Sequence, residues 1–256
     1  MDVHSKCTYC NFNKYVDPNV DNERMERALV TELKSELAYW GLDKVKRPIR
    51  SIYFGGGTPS LARPRMFESI LDTLSSVCTL SKDTEISMEG NPSSTTSIET
   101  LRTLRDIGIN RYSLGIQSFQ GHILTELGRD HSPATALRSL IDARAVWPGR
   151  VSMDLIMGHS GQTLEDWIKE LRFTMDIVDD HLSLYHLTVE PGTAYEILLG
   201  GCENAKSRAL DLLEYLDKDA TAWCIDAGLL QLSAASLSPT ERGMAVADEL
   251  SVRLLP

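Results

Sequence analysis

The sequence has no apolar run approaching the roughly 20 residues of a membrane-spanning helix, so no transmembrane segment is expected. Positive charge is also scarce: 26 Lys and Arg stand against 36 Asp and Glu, for a net charge of -10. A nucleic-acid partner is not expected, because phosphate binding needs concentrated Lys and Arg. Cysteine is sparse and scattered. The five stand at 7, 10, 78, 202 and 224, and only Cys7 and Cys10 are close, which argues against a secreted disulfide framework. The opening MDVHSKCTYC has neither an apolar signal core nor an Arg-rich amphipathic stretch, and as an authentic N-terminus it points to the cytoplasm. The chain also lacks a repeat of fixed period. What remains is ordinary globular composition: an apolar fraction of 42% over 256 residues suits one large core or two small ones.

Short β-rich runs alternate with helical patterns. Strands are expected at Ser51 to Phe54, Glu85 to Met88, Arg111 to Ile116, Val151 to Met157 and His181 to Val189, most of them meeting Gly or Pro at the C-terminal end. Between them, Glu23 to Trp40 sets Met25, Leu29, Leu33 and Leu37 on one helical stripe, and Arg65 to Val77 does the same with Met66, Ile70 and Leu74. Thr96-x-x-Glu99 reads as a capping box, Ser132-Pro133 as a cap with proline at N1, and Thr163 as a further cap. One helix between successive strands argues for an α/β fold of parallel βα units, with ligands at the C-terminal strand ends. After Gly200 the text turns helical around Leu210, Leu213, Leu216, Ala222 and Ile225, and no β-rich run is expected beyond it.

Several residues carry chemistry. Cys7-Thr8-Tyr9-Cys10 can bring two thiolates to one metal or cluster edge, act as a dithiol, or be inert. Gly55-Gly56-Gly57-Thr58-Pro59 follows a strand, where glycines permit close backbone approach to a polar ligand or simply a tight turn; it is neither a dinucleotide fingerprint nor a P-loop. Glu89 and Gln117 end strands, as ligand contacts or as caps and turn residues. Arg129 reads equally as an exposed helical arginine. Asp154 lies within an apolar strand, where an unpartnered carboxylate costs several kcal/mol and a partner or ligand is therefore required.

Taken in order, Cys7-Thr8-Tyr9-Cys10-Asn11-Phe12, Phe54-Gly55-Gly56-Gly57-Thr58-Pro59-Ser60, Glu89-Gly90-Asn91-Pro92 and Gly115-Ile116-Gln117-Ser118-Phe119 resemble the radical S-adenosylmethionine (SAM) family. The nearest branch is that of the oxygen-independent coproporphyrinogen-III oxidases and their heme-chaperone relatives. The resemblance covers roughly residues 6 to 200. It implies a partial (β/α)6 radical SAM barrel of parallel strands with its first strand largely missing, a truncated radical SAM domain over 1–200, and a divergent helical tail over 201–256.

In that family a C-x-x-x-C-x-x-C motif holds a [4Fe-4S] cluster, whose open iron takes SAM. Cys7 and Cys10 match the second and third ligands, whereas the first falls at Val3, which has no lone pair for iron. The resemblance carries SAM binding over to Tyr9, Gly56, Gly57, Thr58, Glu89, Gln117, Arg129 and Asp154, with Thr58 and the glycines on the amino group, Arg129 on the methionine carboxylate and Asp154 on the ribose side. One departure is Gly158-His159-Ser160 where the family text continues Gly-Leu-Pro, making His159 a new ligand or a loop substitution. Phe12 stands where the oxidases carry a further cysteine, so the text is closer to the chaperone branch. That branch implies heme binding, transfer to heme-receiving respiratory proteins and a mitochondrial location. Coproporphyrinogen-III oxidation and a cofactor-free binding module are the alternatives.

Overall fold

Alternation along the strands sets the architecture. A computed structural model of the chain describes residues 6–12, 16, 19–44, 46–94 and 97–199, together with the backbone of two short strands at 230–232 and 237–239. Helix α1 (Asn22–Tyr39) leads to β1 (Pro48–Phe54), α2 (Pro64–Val77), β2 (Thr79–Gly90), α3 (Ile98–Ile107) and β3 (Arg111–Gln117). There follow α4 (Gly121–Glu126), α5 (Pro133–Val146), β4 (Val151–Met157), α6 (Leu164–Ile177), β5 (His181–His186) and α7 (Ala194–Leu198). The strands β1 to β5 pair in sequence order, all parallel, as a partly curled sheet with helices around it: a partial α/β barrel.

The helices begin where side chains can accept the orphan N–H groups of the first turn. Ser132 accepts from the Thr135 N–H ahead of Pro133, and Thr163 and Asp166 form a reciprocal capping box. The third helix differs from expectation: Ser97, not Thr96, accepts from the Thr100 N–H, and Thr96 lies outside the described residues. Gly108, at φ +123, ends that helix in a conformation open to glycine.

Two further elements escaped the sequence. The six-residue α4 and five-residue α7 are too short to display a helical period. The expected helical patterning at Leu210 to Ile225 lies outside the described residues. The 231–240 stretch, expected without strand, contains an antiparallel pair, β6 (Leu230–Leu232) and β7 (Leu237–Pro239). Its Ser-rich text hides Leu230, Leu232 and Leu237, a pairing that rests on cross-strand partners more than on intrinsic propensity.

In β3, Tyr112, Leu114 and Ile116 are fully buried under the helices, and in β2 the same face carries Ile86 and Met88. Leu101, Leu104, Leu140, Trp147 and Trp167 complete that core. Trp147 stacks on Tyr112 with ring centroids 4.9 Å apart, and its indole N–H donates to Ile109 O at 2.7 Å.

The opposite strand face is different. Its register aligns Tyr53 with Ser87, Glu89 with Ser113, Ser113 with Ser152, and Asp154 with Ser183. A parallel sheet buried on both faces reads as continuous apolar text, and this inner face departs from it. Leu114→Ala should remove a fully buried side chain from the core while leaving that inner face untouched. Urea unfolding should show a loss of about 2–5 kcal/mol.

Candidate functional site

The CxxC loop docks on the C-terminal end of α4. The Thr8 N–H donates to Leu127 O at 3.1 Å, its hydroxyl donates to Glu126 O at 2.8 Å, and its carbonyl accepts the Tyr195 N–H at 2.8 Å. The Cys10 N–H closes the turn on Cys7 O at 3.2 Å. Gly128, at φ +66, lets the two backbones approach: a Cβ there would lie 2.9 Å from Thr8 Cγ2 and 3.0 Å from Thr8 N. A small apolar cluster of Ile123, Leu127, Ile156, Leu187 and Tyr195, with Tyr9 packed on it, supports the loop from below. The Tyr195 hydroxyl donates to the Glu126 carboxylate, which also accepts the Ser160 N–H at 3.2 Å.

Arg129 joins the loop to the sheet. One Nη donates to Cys7 Sγ at 3.2 Å and the other to Gly115 O at 2.7 Å, while buried Nε finds no hydrogen-bond partner among the described residues. Burial works against the guanidinium charge, but Tyr9 and Cys7 beside it outweigh burial and raise its pKa. Burial likewise raises the Tyr9 phenol, although the Arg129 charge opposes it. His131, whose Nε2 meets Ile116 O at 3.1 Å, is pushed down to about 4 by burial and by Arg129.

A second group sits on the polar inner face. The Glu89 carboxylate accepts the Tyr53 hydroxyl and, at 3.1 Å, the Gly56 N–H. Gly56 and Gly57 take φ +80 and +60, so this loop needs its glycines. Thr58 opens the short turn after them, with no side-chain cap bond. Burial pushes Asp154 up to about 6 despite hydrogen bonds to Ser183 and Ser113, with the Glu89 charge raising it further. Tyr53 is raised by burial and by its bond to Glu89.

Gln117 ends β3. It adopts φ +72, the left-handed region that a non-glycine residue enters only when held there. The three residues after it are fixed by Glu170, a buried carboxylate that accepts the Ser118 hydroxyl at 2.5 Å, the Phe119 N–H at 2.6 Å and the Gln120 amide at 3.1 Å. His159 is buried in the loop after β4, its Nε2 lacking a partner among the described residues.

The structure thus brings Cys7, Tyr9, Cys10 and Arg129 together, and groups Glu89, Gly56, Gly57 and Asp154 along the same sheet end. Sequence reasoning missed Tyr53, Ser113 and Ser183, which share a face with Glu89 and Asp154 and were accessible from strict period-two counting. It also missed Thr8, Glu126, Glu170 and Tyr195, whose roles arise from contacts distant in sequence, 118 positions for Thr8 with Glu126, and left no local signal.

These features define a partial parallel barrel with a cysteine loop and a polar inner face at the strand ends. The radical SAM superfamily model matches residues 4–174, and the chain belongs to that family. It is 42% identical to the mouse mitochondrial radical S-adenosyl methionine domain-containing protein 1 over 189 residues, 74% of this chain and 42% of that protein. It is 34% identical to the heme chaperone HemW of Escherichia coli over 191 residues, 74% of this chain and 49% of that one. The chain thus spans less than half the length of these relatives. Among solved structures, the E. coli coproporphyrinogen III oxidase HemN superposes with a TM-score of 0.69 at 22% identity, covering 97% of this chain and 56% of that one.

The family's [4Fe-4S] cluster can be tested against the donors present. Position 3 is valine, and the described residues contain no group of three or more Cys, His, Asp or Glu able to hold a metal. Cys78 is buried elsewhere, beside Leu37 and Leu74, and Cys202 and Cys224 lie outside the described residues. The described donor set therefore does not fit a three-thiolate cluster.

Asp154 also makes stability pH-dependent. Its folded pKa lies above the unfolded carboxylate value of 3.8, so its contribution is fully present below that value and is lost as pH rises through about 6. Asp154→Asn should remove that loss, and denaturant titrations at pH 4 and pH 7 should show the variant gaining relative stability at pH 7. The ceiling is roughly 3 kcal/mol.

Proposed function

We propose that this chain is a porphyrin-handling member of its family whose polar inner face binds SAM. The observation that carries the reading is the alternation that turns Tyr53, Glu89, Ser113, Asp154 and Ser183 to one face of a parallel sheet. In this reading Glu89, already holding the Gly56 N–H, receives the ligand ammonium alongside Gly57 and Thr58. Arg129 offers its unpartnered Nε–H to the carboxylate, and Asp154 the ribose hydroxyls. Tyr9 and Gln117 line the space between. Because only Cys7 and Cys10 of the described thiols stand in this loop, the proposal stops at ligand binding and routes no step through a cluster.

Two porphyrin functions fit. Coproporphyrinogen-III oxidation is supported by the breadth of the fold match to the E. coli oxidase, which extends over nearly the whole chain. Heme binding for transfer to respiratory proteins is supported by the higher-identity relatives, which include heme chaperones at 32% to 35% identity, and by Phe12. The relatives named as mitochondrial support that location for this protein too.

One anaerobic experiment separates them. SAM binding by equilibrium dialysis, heme binding by absorbance titration and coproporphyrinogen consumption are measured on the full chain. The transfer function predicts a stoichiometric heme complex with no porphyrinogen consumed, and the oxidase predicts SAM-dependent consumption. Glu89→Gln should weaken SAM binding in either case; failure to bind both SAM and heme would overturn the proposal.

A further inference from the structure

Both oxygens of Glu89 are engaged before any ligand arrives. One accepts the Tyr53 hydroxyl and the other accepts the Gly56 N–H at 3.1 Å. The two contacts leave different surroundings. Beside Gly56 the space is open, since a Cβ there would meet nothing within 4 Å. Gly55 is covered instead: a Cβ there would lie 2.9 Å from Tyr53 Cζ and 3.1 Å from its hydroxyl oxygen. The phenol ring therefore lies against the glycine loop, with its hydroxyl turned onto the carboxylate.

The ring has room to leave. Tyr53 is 65% exposed and stands on β1, which is an edge strand of the five-stranded sheet. Swinging its side chain outward gives the hydroxyl to water and frees one Glu89 oxygen. An ammonium on that oxygen adds the attraction between two full charges, which a neutral phenol lacks. The exchange is thus favourable for a ligand that brings a cation. For a ligand without one it offers no gain.

We propose that Tyr53 is a selectivity latch on Glu89, covering one carboxylate oxygen until a ligand ammonium displaces it. The latch favours nucleosides that carry an amino-acid end over nucleosides that do not. It rests on the reading of the inner face as a SAM site and adds a residue that discriminates among ligands there. The competing role is a cross-strand stitch between β1 and β2 that holds Glu89 in position. The two roles predict opposite signs: removing a stitch loosens ligand binding, whereas removing a latch tightens it.

The test is equilibrium dialysis of SAM and S-adenosylhomocysteine against the full chain, Tyr53→Phe and Tyr53→Leu. Both variants lack the hydroxyl, and both should bind each ligand about tenfold tighter, the gain expected where about one unliganded chain in ten has the oxygen free. 5′-Methylthioadenosine, which lacks the amino-acid end, should bind all three proteins alike. Tyr53 is largely exposed, so either variant should fold, and a gain in affinity cannot come from an unfolded chain. Unchanged or weaker binding of SAM and S-adenosylhomocysteine by the variants would overturn the latch while leaving the SAM reading intact. An equal gain for 5′-methylthioadenosine would also overturn it, because the ring would then obstruct the site without regard to Glu89. Failure of all three proteins to bind SAM or S-adenosylhomocysteine would sink the SAM reading and the latch with it.

Discussion

The docking of Thr8 on the end of α4 is the constraint on which the rest of the site depends. Three hydrogen bonds from one residue tie the cysteine turn to Glu126, Leu127 and Tyr195, elements that are distant in sequence. Without that anchor, nothing in the short segment between Lys6 and Phe12 would hold two thiols against a buried arginine. Gly128 makes the approach possible, since any side chain there would meet Thr8. The Glu126 carboxylate, bonded by the Tyr195 hydroxyl and the Ser160 N–H, then locks three loops into one arrangement.

The sheet supplies the second half of the site by a different physical route. The strands turn most of their apolar residues to the helices and Glu89, Ser113 and Asp154 to the other face, so the Glu89 charge acts on Asp154 although 65 positions separate them in the chain. Burial then tunes them: Asp154 is held near a pKa of about 6, partly protonated close to neutrality, while Glu89 is committed to the Gly56 N–H. The left-handed backbone at Gln117 is a local cost, and the residues directly after it are fixed by buried Glu170.

Much of this was legible in the sequence. β4 begins and ends where its apolar text does, at Val151 and Met157, and the Ser132 and Thr163 caps fall as their patterns require. β1 begins at Pro48, earlier than its apolar text, because pairing with β2 extends it past Arg50. The motifs around Gly55, Glu89 and Gln117 fall at strand ends, as a parallel αβ pattern demands, whereas the cysteine motif precedes α1. What stayed hidden depended on tertiary contact. Arg129 looked like a surface residue because its partners, Cys7 Sγ and Gly115 O, are not its sequence neighbours. Tyr195 carried no sign that its N–H would cap the cysteine turn. The short pair β6 and β7 lacked the alternating text by which strands declare themselves.

The most direct measurement is the alkylation rate of Cys7 and Cys10, resolved by mass spectrometry, in the reduced native chain and in Gly128→Ala. The account predicts that both thiols are strongly protected in the native protein. The added Cβ should lift the loop off α4 and accelerate both together, with Cys78 remaining slow. Equal rates for Cys7 and Cys10 in the two proteins would contradict the claim that docking on α4 holds the site together.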